Sequence, residues 1–136
     1  MKEITLEATR ENISEVTAFI DEQLEALDCG MKAQTQIDLA IDELFCNIAS
    51  YAYAPGTGSA TVRFDYDEAR CEAQITFVDG GVPYDPLQKA DPDVTLPAEE
   101  REIGGLGIFL VKKTMDAISY ERRDGCNVLT IKKRIK

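Results

Sequence analysis

The chain has 136 residues, of which 44% are hydrophobic and 29% charged, and its 25 acidic and 15 basic side chains give a formal net charge of −10. This composition is typical of one globular domain and argues against intrinsic disorder. An acidic surface repels a phosphate backbone, so we expect no nucleic-acid partner. No apolar stretch has the roughly 20 residues that a membrane-spanning helix needs, and residues 1–10 do not resemble a signal peptide, so we expect a cytoplasmic protein.

The sequence contains no histidine. This excludes Ser-His-Asp and Cys-His catalysis, His-ligated zinc and phosphohistidine chemistry within the chain. The cysteines are far apart and form no CxxC pair, so neither a zinc ribbon nor a redox dithiol is predicted. We expect reduced, mostly buried thiols at all four positions. They are Cys29, Cys46, Cys71 and Cys126.

The first half of the chain is predicted to form a strand followed by two helices. Residues 2–8 alternate between apolar and polar side chains, which predicts a strand. Asn12 is a candidate N-cap for a helix over residues 13–24. From Ala33 onward apolar residues recur at three- and four-residue spacing, which predicts a long helix that ends at Pro55-Gly56.

The second half is predicted to form two hairpins separated by a long loop and a helix. Residues 60–66 and 71–78 have strand character and are joined by a charged turn. Residues 80–104 contain four prolines and show neither the helical nor the strand periodicity of apolar residues, which predicts a lid or binding loop. An apolar helix over 108–115 follows, and a turn at Asp124-Gly125 joins two last strands, 117–121 and 128–135.

The order of elements is β-α-α-β-β, loop, α-β-β, and no linker or repeat divides it. It predicts a single domain over residues 1–136 with an α+β fold. The expected architecture is a two-layer sandwich, with one mixed, mostly antiparallel sheet and its helices on one face. The basic end of the last strand, Lys132 to Lys136, is either a docking surface or a device that discourages edge-to-edge strand pairing, and we favour the second interpretation.

Glu43 and Asn47 lie four residues apart on the long helix, so their side chains share one face. A carboxylate there can accept a proton or polarise a nucleophile, and an amide oxygen can bind a hard cation such as magnesium. Polar pairs at this spacing are also common on solvated helix surfaces. The pair alone therefore leaves both interpretations open.

Two glycine-rich segments add further candidates. Asp79-Gly80-Gly81 directly follows a predicted strand, where a side chain can enter a cleft, although Asp-Gly is also a turn signal. Gly104-Gly105-Leu106-Gly107 precedes a predicted helix, whose unpaired N–H groups favour a phosphate. A flexible connection with close helix packing is the alternative there. Neither a P-loop nor a dinucleotide-binding fingerprint is present.

The order of these segments resembles the Bergerat-fold ATPases, a group that includes DNA gyrase and histidine kinases. Glu43-Leu-Phe-Cys-Asn47 resembles the N box of that family, and Asp79-Gly-Gly81 resembles its first glycine box. The run Gly104-Gly-Leu-Gly-Ile-Phe-Leu-Val111 resembles the second glycine box. The short chain, with Tyr84-Asp85-Pro86 after the first box, is most similar to the anti-sigma factor serine kinases.

The resemblance, which covers about residues 4–133, implies a role for each matching residue. Asn47 is expected to bind Mg²⁺, with Glu43 as the base or polariser beside the γ-phosphate of ATP. Asp79 is expected to accept a hydrogen bond from the adenine amino group, with Gly81 allowing the ring to approach the backbone.

The same resemblance implies phosphate contacts from the second glycine box and a lid over 85–103. Gly105, Leu106 and Gly107 are expected to offer backbone N–H groups to the phosphates, with Gly104 also part of the nucleotide site. Arg101 is the expected lid cation. The implied fold is the Bergerat ATP-binding fold, and the implied assembly is a homodimer.

The chain departs from the family pattern in its last hairpin. The family often carries Gly-Thr-Thr there, with a threonine near the adenine, whereas this chain has Gly125-Cys126-Asn127. Asn127 can substitute as a hydrogen-bonding group. We do not transfer the role to Thr130, which lies farther along the strand.

The resemblance implies an ATP-dependent serine kinase that phosphorylates a partner antagonist protein and sequesters a sigma factor. The alternative is a regulatory module of the same fold that binds nucleotide with little or no phosphoryl transfer. A third possibility is an α+β interaction domain that binds no nucleotide.

Overall fold

A computed structural model of the protein describes residues 1–88 and 105–136, and the side chains of all of these except Gln88, Gly105 and Leu106. The described residues form five strands and three α-helices. In chain order they are β1 (Lys2–Glu7), α1 (Ile13–Ala26), α2 (Met31–Asn47), β2 (Ser59–Asp67), β3 (Glu72–Asp79), α3 (Gly105–Thr114), β4 (Ala117–Arg123) and β5 (Cys126–Arg134).

The five strands form one sheet in the order β1-β2-β3-β5-β4. All four pairings are antiparallel, so the expected mixed sheet is antiparallel throughout the described residues. The α+β prediction is confirmed. Alternate residues of the central strands are buried on one face, as the period of two along a strand requires. These residues are Ala60, Val62, Phe64, Ala73, Ile75, Phe77, Leu129 and Ile131.

The opposite face of the sheet is more polar. On β1 and β2 it carries an Arg63 to Glu3 ion pair of 2.9 Å and a 2.8 Å hydrogen bond between Thr5 and Thr61. The helices pack on the apolar face, because their buried residues join those of the strands in one core. Their spacing of three and four residues is that of an amphipathic helix. On α1 and α2 these are Val16, Ile20, Leu24, Ile37, Ala40, Ile41, Leu44 and Phe45.

The long helix predicted from Ala33 to Pro55 is regular only from Met31 to Asn47 and continues as a π-helical turn over Ile48–Ala52. Such turns widen the helix locally and are frequent at functional sites. The turn carries the chain from α2 into the segment before β2. The predicted helix is confirmed in position, and its last five residues have a different hydrogen-bond pattern.

Three local predictions hold only in part. Asn12 occupies the N-cap position of α1 but makes no capping hydrogen bond, and it donates instead from Nδ2 to the Glu7 carbonyl oxygen at 2.7 Å, while a 3₁₀ turn over Arg10–Asn12 precedes α1. Cys71 lies outside β3, in a turn with φ of 52°. The four cysteines are free, which agrees with the expected reduced thiols, but they are only half-buried, because each lies near a turn or on a helix flank rather than in the core.

The interpretation of the basic end as edge protection is also wrong. β5 pairs with β3 on one side and with β4 on the other, so it is not an edge strand. Lys133 has a local role, since its Nζ donates to the Thr114 carbonyl oxygen at 2.7 Å, where the negative end of the α3 dipole lies. A docking role for the basic end stays a prediction. Among the described residues no helix combines the length and apolarity needed to cross a membrane.

An acidic pair lies between α1 and α2. Oδ1 of Asp21 and Oδ1 of Asp38 are both buried, and among the described residues no donor from outside the pair reaches either atom. Burial raises the pKa of Asp38 from the ordinary 3.8 to about 7, helped by a hydrogen bond shared with Asp21 and by repulsion from Asp21 and Glu25. Because the folded chain holds this proton more tightly than the unfolded chain does, its stabilising effect is present at low pH.

We expect that effect to be lost as the pH rises from about 4 through 7. Asp38→Asn should raise the melting temperature at pH 8 by a few degrees, an effect on the order of 1 kcal/mol after solvent screening, and should change it little at pH 5. Melting curves from pH 4 to 8 test this, with the exposed Asp42→Asn on the same helix as the control. Equal pH slopes for wild type and Asp38→Asn would contradict the prediction.

Candidate active site

A cavity of about 400 Å³, counted with its opening to solvent, lies beside the carboxyl half of α2. Its walls are mainly apolar and include Leu44, Phe77 and Leu129. A few polar side chains, among them Asn47 and Asp79, also line it. Concave, apolar sites with a few convergent polar groups are typical of small-molecule binding.

Strand register places the polar groups at one end of this cavity. Asp79, the last residue of β3, pairs with Asn127 of β5, which pairs in turn with Arg122 of β4. The next row on the same face is Phe77, Leu129 and Tyr120. Three neighbouring strands therefore contribute one polar row above an apolar one.

Asp79 is only 6% exposed. Its Oδ1 accepts hydrogen bonds from the Gly81 N–H at 2.9 Å and from Asn127 Nδ2 at 3.0 Å. No hydrogen bond from a described residue reaches Oδ2, and the residue lines the cavity. Asp79 thus presents a fixed acceptor to a ligand in the cavity.

The first glycine box is held by the end of the long helix. The Val82 N–H donates to the Ala52 carbonyl oxygen at 2.9 Å, and a Cβ at Gly81 would overlap the Ala52 backbone. Tyr53 accepts a hydrogen bond from the Gly80 N–H at 2.8 Å and donates to the Ser59 carbonyl oxygen at 2.6 Å. The close approach of the Ala52 backbone is therefore enough to require glycine at position 81. The approach of Gly81 to a ligand ring stays a prediction.

Glu43 and Asn47 are brought together as their spacing predicts. Asn47 Nδ2 donates to Glu43 Oε1 at 3.5 Å, so the amide nitrogen of Asn47, and not its oxygen, contacts the Glu43 carboxylate. A Cβ at Gly107 would overlap the Glu43 carboxyl group, so α3 approaches this carboxylate closely. The pair therefore faces the beginning of α3 and is not a solvated surface pair.

The second glycine box forms the first turn of α3. Gly105, Leu106 and Gly107 are its first three residues, whose N–H groups have no acceptor within the helix. A helix of ten residues that starts here offers a positive end to an anion. Lys112 and Lys113 lie in its last turn, at the opposite end from these N–H groups.

A second tyrosine lies beside Tyr84 at the cavity wall. The rings of Tyr51 and Tyr84 lie 5.7 Å apart, and Tyr84 also lines the cavity. Burial raises the pKa of Tyr84, and the neighbouring Tyr51 and Glu43 raise it further. Tyr84 therefore lies within electrostatic reach of Glu43.

Arg101 and Gly104 lie outside the described residues, as does the predicted lid beyond Gln88. At the start of that segment Asp85 Oδ1 accepts a hydrogen bond from the Leu87 N–H at 2.9 Å. Thr130 shares a 3.5 Å contact with Thr76 on the face of the sheet opposite the cavity.

Sequence reasoning missed three residues of the site, Tyr53, Tyr120 and Arg122. Arg122 Nη1 donates to the Gly81 carbonyl oxygen at 2.8 Å and to Asn127 Oδ1 at 3.1 Å. The position of Arg122 was predictable from the Asp124-Gly125 turn, because a two-residue turn places Arg122 opposite Asn127. Nothing local indicates Tyr53, whose partners lie in other elements.

The donor set fits a magnesium ion that arrives with a phosphate. Among the described residues no group of three or more Cys, Asp or Glu side chains is arranged to hold a metal. One amide oxygen from Asn47, next to the carboxylate of Glu43, instead suits an ion whose remaining ligands are phosphate oxygens and water, as Mg²⁺ prefers.

Several serine kinases are similar in sequence to this chain. Serine/threonine-protein kinase BtrW of Bordetella bronchiseptica is 36% identical over 95 residues, which cover 70% of this chain and 66% of that protein. Serine-protein kinase RsbW of Bacillus thuringiensis and of Bacillus cereus is 34% identical over 98 residues, covering 69% of this chain and 60% of theirs. The match therefore spans less than two thirds of each relative.

Solved structures agree on the fold. The catalytic domain of histidine kinase ThkA, in a nucleotide-free form, aligns with 99% of this chain and 98% of its own length, with a TM-score of 0.52 and 14% identity. The family model described as the histidine kinase-like ATPase domain matches residues 6–133. That match includes the long helix, both glycine boxes and the last hairpin, and the chain belongs to the histidine kinase-like ATPase domain family.

Proposed function

We propose that the cavity binds ATP and that the domain transfers the γ-phosphoryl group to a serine hydroxyl of a partner protein. The observation that carries the proposal is the pairing of two features. A buried Asp79 carboxylate lies at one end of the cavity, and the Glu43–Asn47 pair faces the beginning of α3 beside it. A base-binding acceptor and a phosphate-binding helix end are what a nucleotide requires.

The roles of the residues follow from their contacts. Asp79 Oδ2 accepts a hydrogen bond from the amino group of adenine, and the apolar walls contributed by Leu44, Ile48 and Leu129 cover the ring. The first-turn N–H groups of α3 hold the phosphates. Mg²⁺, when bound with the nucleotide through Asn47, neutralises phosphate charge, and this matters in a chain with a net charge of −10.

Phosphoryl transfer then needs only positioning and one proton acceptor. The serine Oγ forms a bond to the γ-phosphorus, the bond from that phosphorus to the β–γ bridging oxygen breaks, and ADP leaves. The serine proton passes to the Glu43 carboxylate, which lies against α3 at Gly107. Removing Glu43 should therefore slow transfer more than it weakens binding.

The relatives support serine as the acceptor, because their names describe serine-protein kinases. The chain has no histidine, so it cannot carry a phosphohistidine of its own. Following the resemblance to anti-sigma factor kinases, we propose a small antagonist protein as the phosphoryl acceptor and a sigma factor as the sequestered partner. A cytoplasmic homodimer without nucleic acid is part of the same proposal.

The alternative is a module that binds ATP and a partner without transferring phosphate. Retention of both Glu43 and Asn47, in contact with each other, favours the kinase. The two functions differ in one measurable respect. The kinase loses phosphoserine formation when Glu43 is neutralised, whereas partner binding by the module is unaffected.

Binding of ATP with magnesium should raise the melting temperature of the wild-type protein. A ligand at 100 times its Kd adds roughly 2.7 kcal/mol to stability. Asn47→Ala should abolish the magnesium-dependent part of the shift, because it removes the amide oxygen. Gln34→Ala, also on α2, is the control and should behave as wild type. The absence of any shift in the wild type would reject both nucleotide hypotheses.

Glu43→Gln should retain ATP binding and lose phosphoryl transfer by about 10² to 10⁴-fold, the range expected for a positioned proton acceptor. Transfer is measured as phosphoserine formed on an antagonist protein of a serine-kinase relative, and binding as the melting shift with ATP. Asp42→Asn removes a carboxylate from the next position and should transfer normally. Equal transfer by wild type and Glu43→Gln would favour a role for Glu43 other than proton acceptance.

A further inference from the structure

Asn127 is the centre of a hydrogen-bond network at the end of the cavity. Its Nδ2 donates to Asp79 Oδ1 at 3.0 Å and to the Val82 carbonyl oxygen at 2.8 Å. Its Oδ1 accepts from three donors, and the residue is only 5% exposed. The donors are the Tyr120 hydroxyl at 2.5 Å, Arg122 Nη1 at 3.1 Å and the Tyr84 N–H at 3.3 Å.

The chemistry of the neighbours allows one orientation of this amide. Nδ2 faces a carboxylate and a carbonyl, both acceptors, whereas Oδ1 faces a guanidinium, a phenol and a backbone N–H. A reversed amide would place its oxygen against the Asp79 carboxylate and its NH₂ against Arg122. Buried polar groups left without partners are costly, so the three donors on Oδ1 determine that an N–H points at Asp79.

This arrangement changes the role that the sequence indicated for Asn127. Both N–H groups and the oxygen are engaged by the protein. A direct hydrogen bond from Asn127 to a base would break one of these contacts. Its effect on a ligand must therefore pass through Asp79, which lines the same cavity.

We propose that Asn127 is a positioning residue that holds the Asp79 carboxylate in one orientation, and thereby makes the cavity select a 6-aminopurine over a 6-oxopurine nucleotide. The proposal rests on the nucleotide site proposed above. Donation from Asn127 and from the Gly81 N–H occupies Oδ1 and fixes the orientation of the carboxylate. The remaining oxygen, Oδ2, is the acceptor left for a ligand.

An acceptor of this kind discriminates by hydrogen-bond polarity. It pairs with the amino group of adenine, which donates, and opposes the carbonyl oxygen of hypoxanthine, which accepts. A site built for a donor rejects an analogue that lacks it more strongly than an apolar pocket can. Arg122 contributes to the same selection, because it holds both Asn127 Oδ1 and the Gly81 carbonyl oxygen.

The test compares ATP with inosine triphosphate, which differs at the 6-position and in the proton on the adjacent ring nitrogen and has the same phosphates. The Kd of each is measured with magnesium by displacement of a fluorescent ATP analogue. The wild type should prefer ATP. Failure of the wild type to bind either nucleotide rejects the proposed function itself, whereas equal binding of both rejects only the selection by Asp79 and Asn127.

Asn127→Ala should reduce the ATP preference by about tenfold, the effect of one lost hydrogen bond to a charged group. The carboxylate of Asp79 then loses the side-chain donor on Oδ1 and is free to rotate. Thr130→Ala, on the same strand but on the opposite face, is the control and should keep the wild-type ratio. A residue that only stabilised the fold would weaken both nucleotides equally and leave the ratio unchanged, which would overturn the proposal.

Tyr120→Phe tests the same network without removing Asn127. It deletes one of the three donors that orient the amide, so the ATP preference should fall by a smaller factor than in Asn127→Ala. Thermal unfolding establishes that each variant is folded before its ratio is measured. If Asn127→Ala does not fold, Tyr120→Phe decides, and a wild-type ratio in that variant would overturn the proposal.

Discussion

A buried carboxylate must be surrounded by hydrogen-bond donors, and much of this site is arranged around that requirement at Asp79. One donor is local, the Gly81 N–H, and depends on the close approach of Gly81 to the end of the long helix. The other, Asn127, comes from a strand more than forty residues away and is itself oriented by Arg122. The polar end of the cavity therefore depends on three strands and one helix end. A change in any of them alters which hydrogen-bonding groups face a ligand.

The second constraint is the contact between Glu43 and the beginning of α3. A Cβ at 107 would overlap the Glu43 carboxyl group as it stands, so the N box on α2 and the second glycine box on α3 meet in space. A negative side chain at the positive end of a helix is electrostatically favourable. The same helix end is the expected phosphate site, and the carboxylate and the phosphates therefore share one source of positive potential.

Much of the fold could be predicted from the sequence, because the apolar periodicities of two and of three to four residues are local signals. Each predicted helix and strand is present, with ends displaced by a few residues. The missing cap hydrogen bond at Asn12 and the later start of β3 at Cys71 concern ends and turns, where one hydrogen bond decides the outcome. In the site, the position of Asp79 at a strand end was predictable, whereas Tyr53 was not, since its hydroxyl joins Gly80 to the start of β2 and neither contact is local.

The turn at Asp124-Gly125 has a consequence for how this sequence tolerates change. Both residues have positive φ, 52° and 77°, as a tight two-residue hairpin requires. Surface turns commonly accept insertions, but here one added residue would shift β4 against β5 by one position. Such a slip would carry Arg122 and Tyr120 to the far side of the sheet while Asn127 stayed in place. The contacts of Arg122 and Tyr120 with Asn127 therefore constrain the length of a solvent-exposed turn. Deletions or insertions there should impair the candidate site even though they lie outside the cavity.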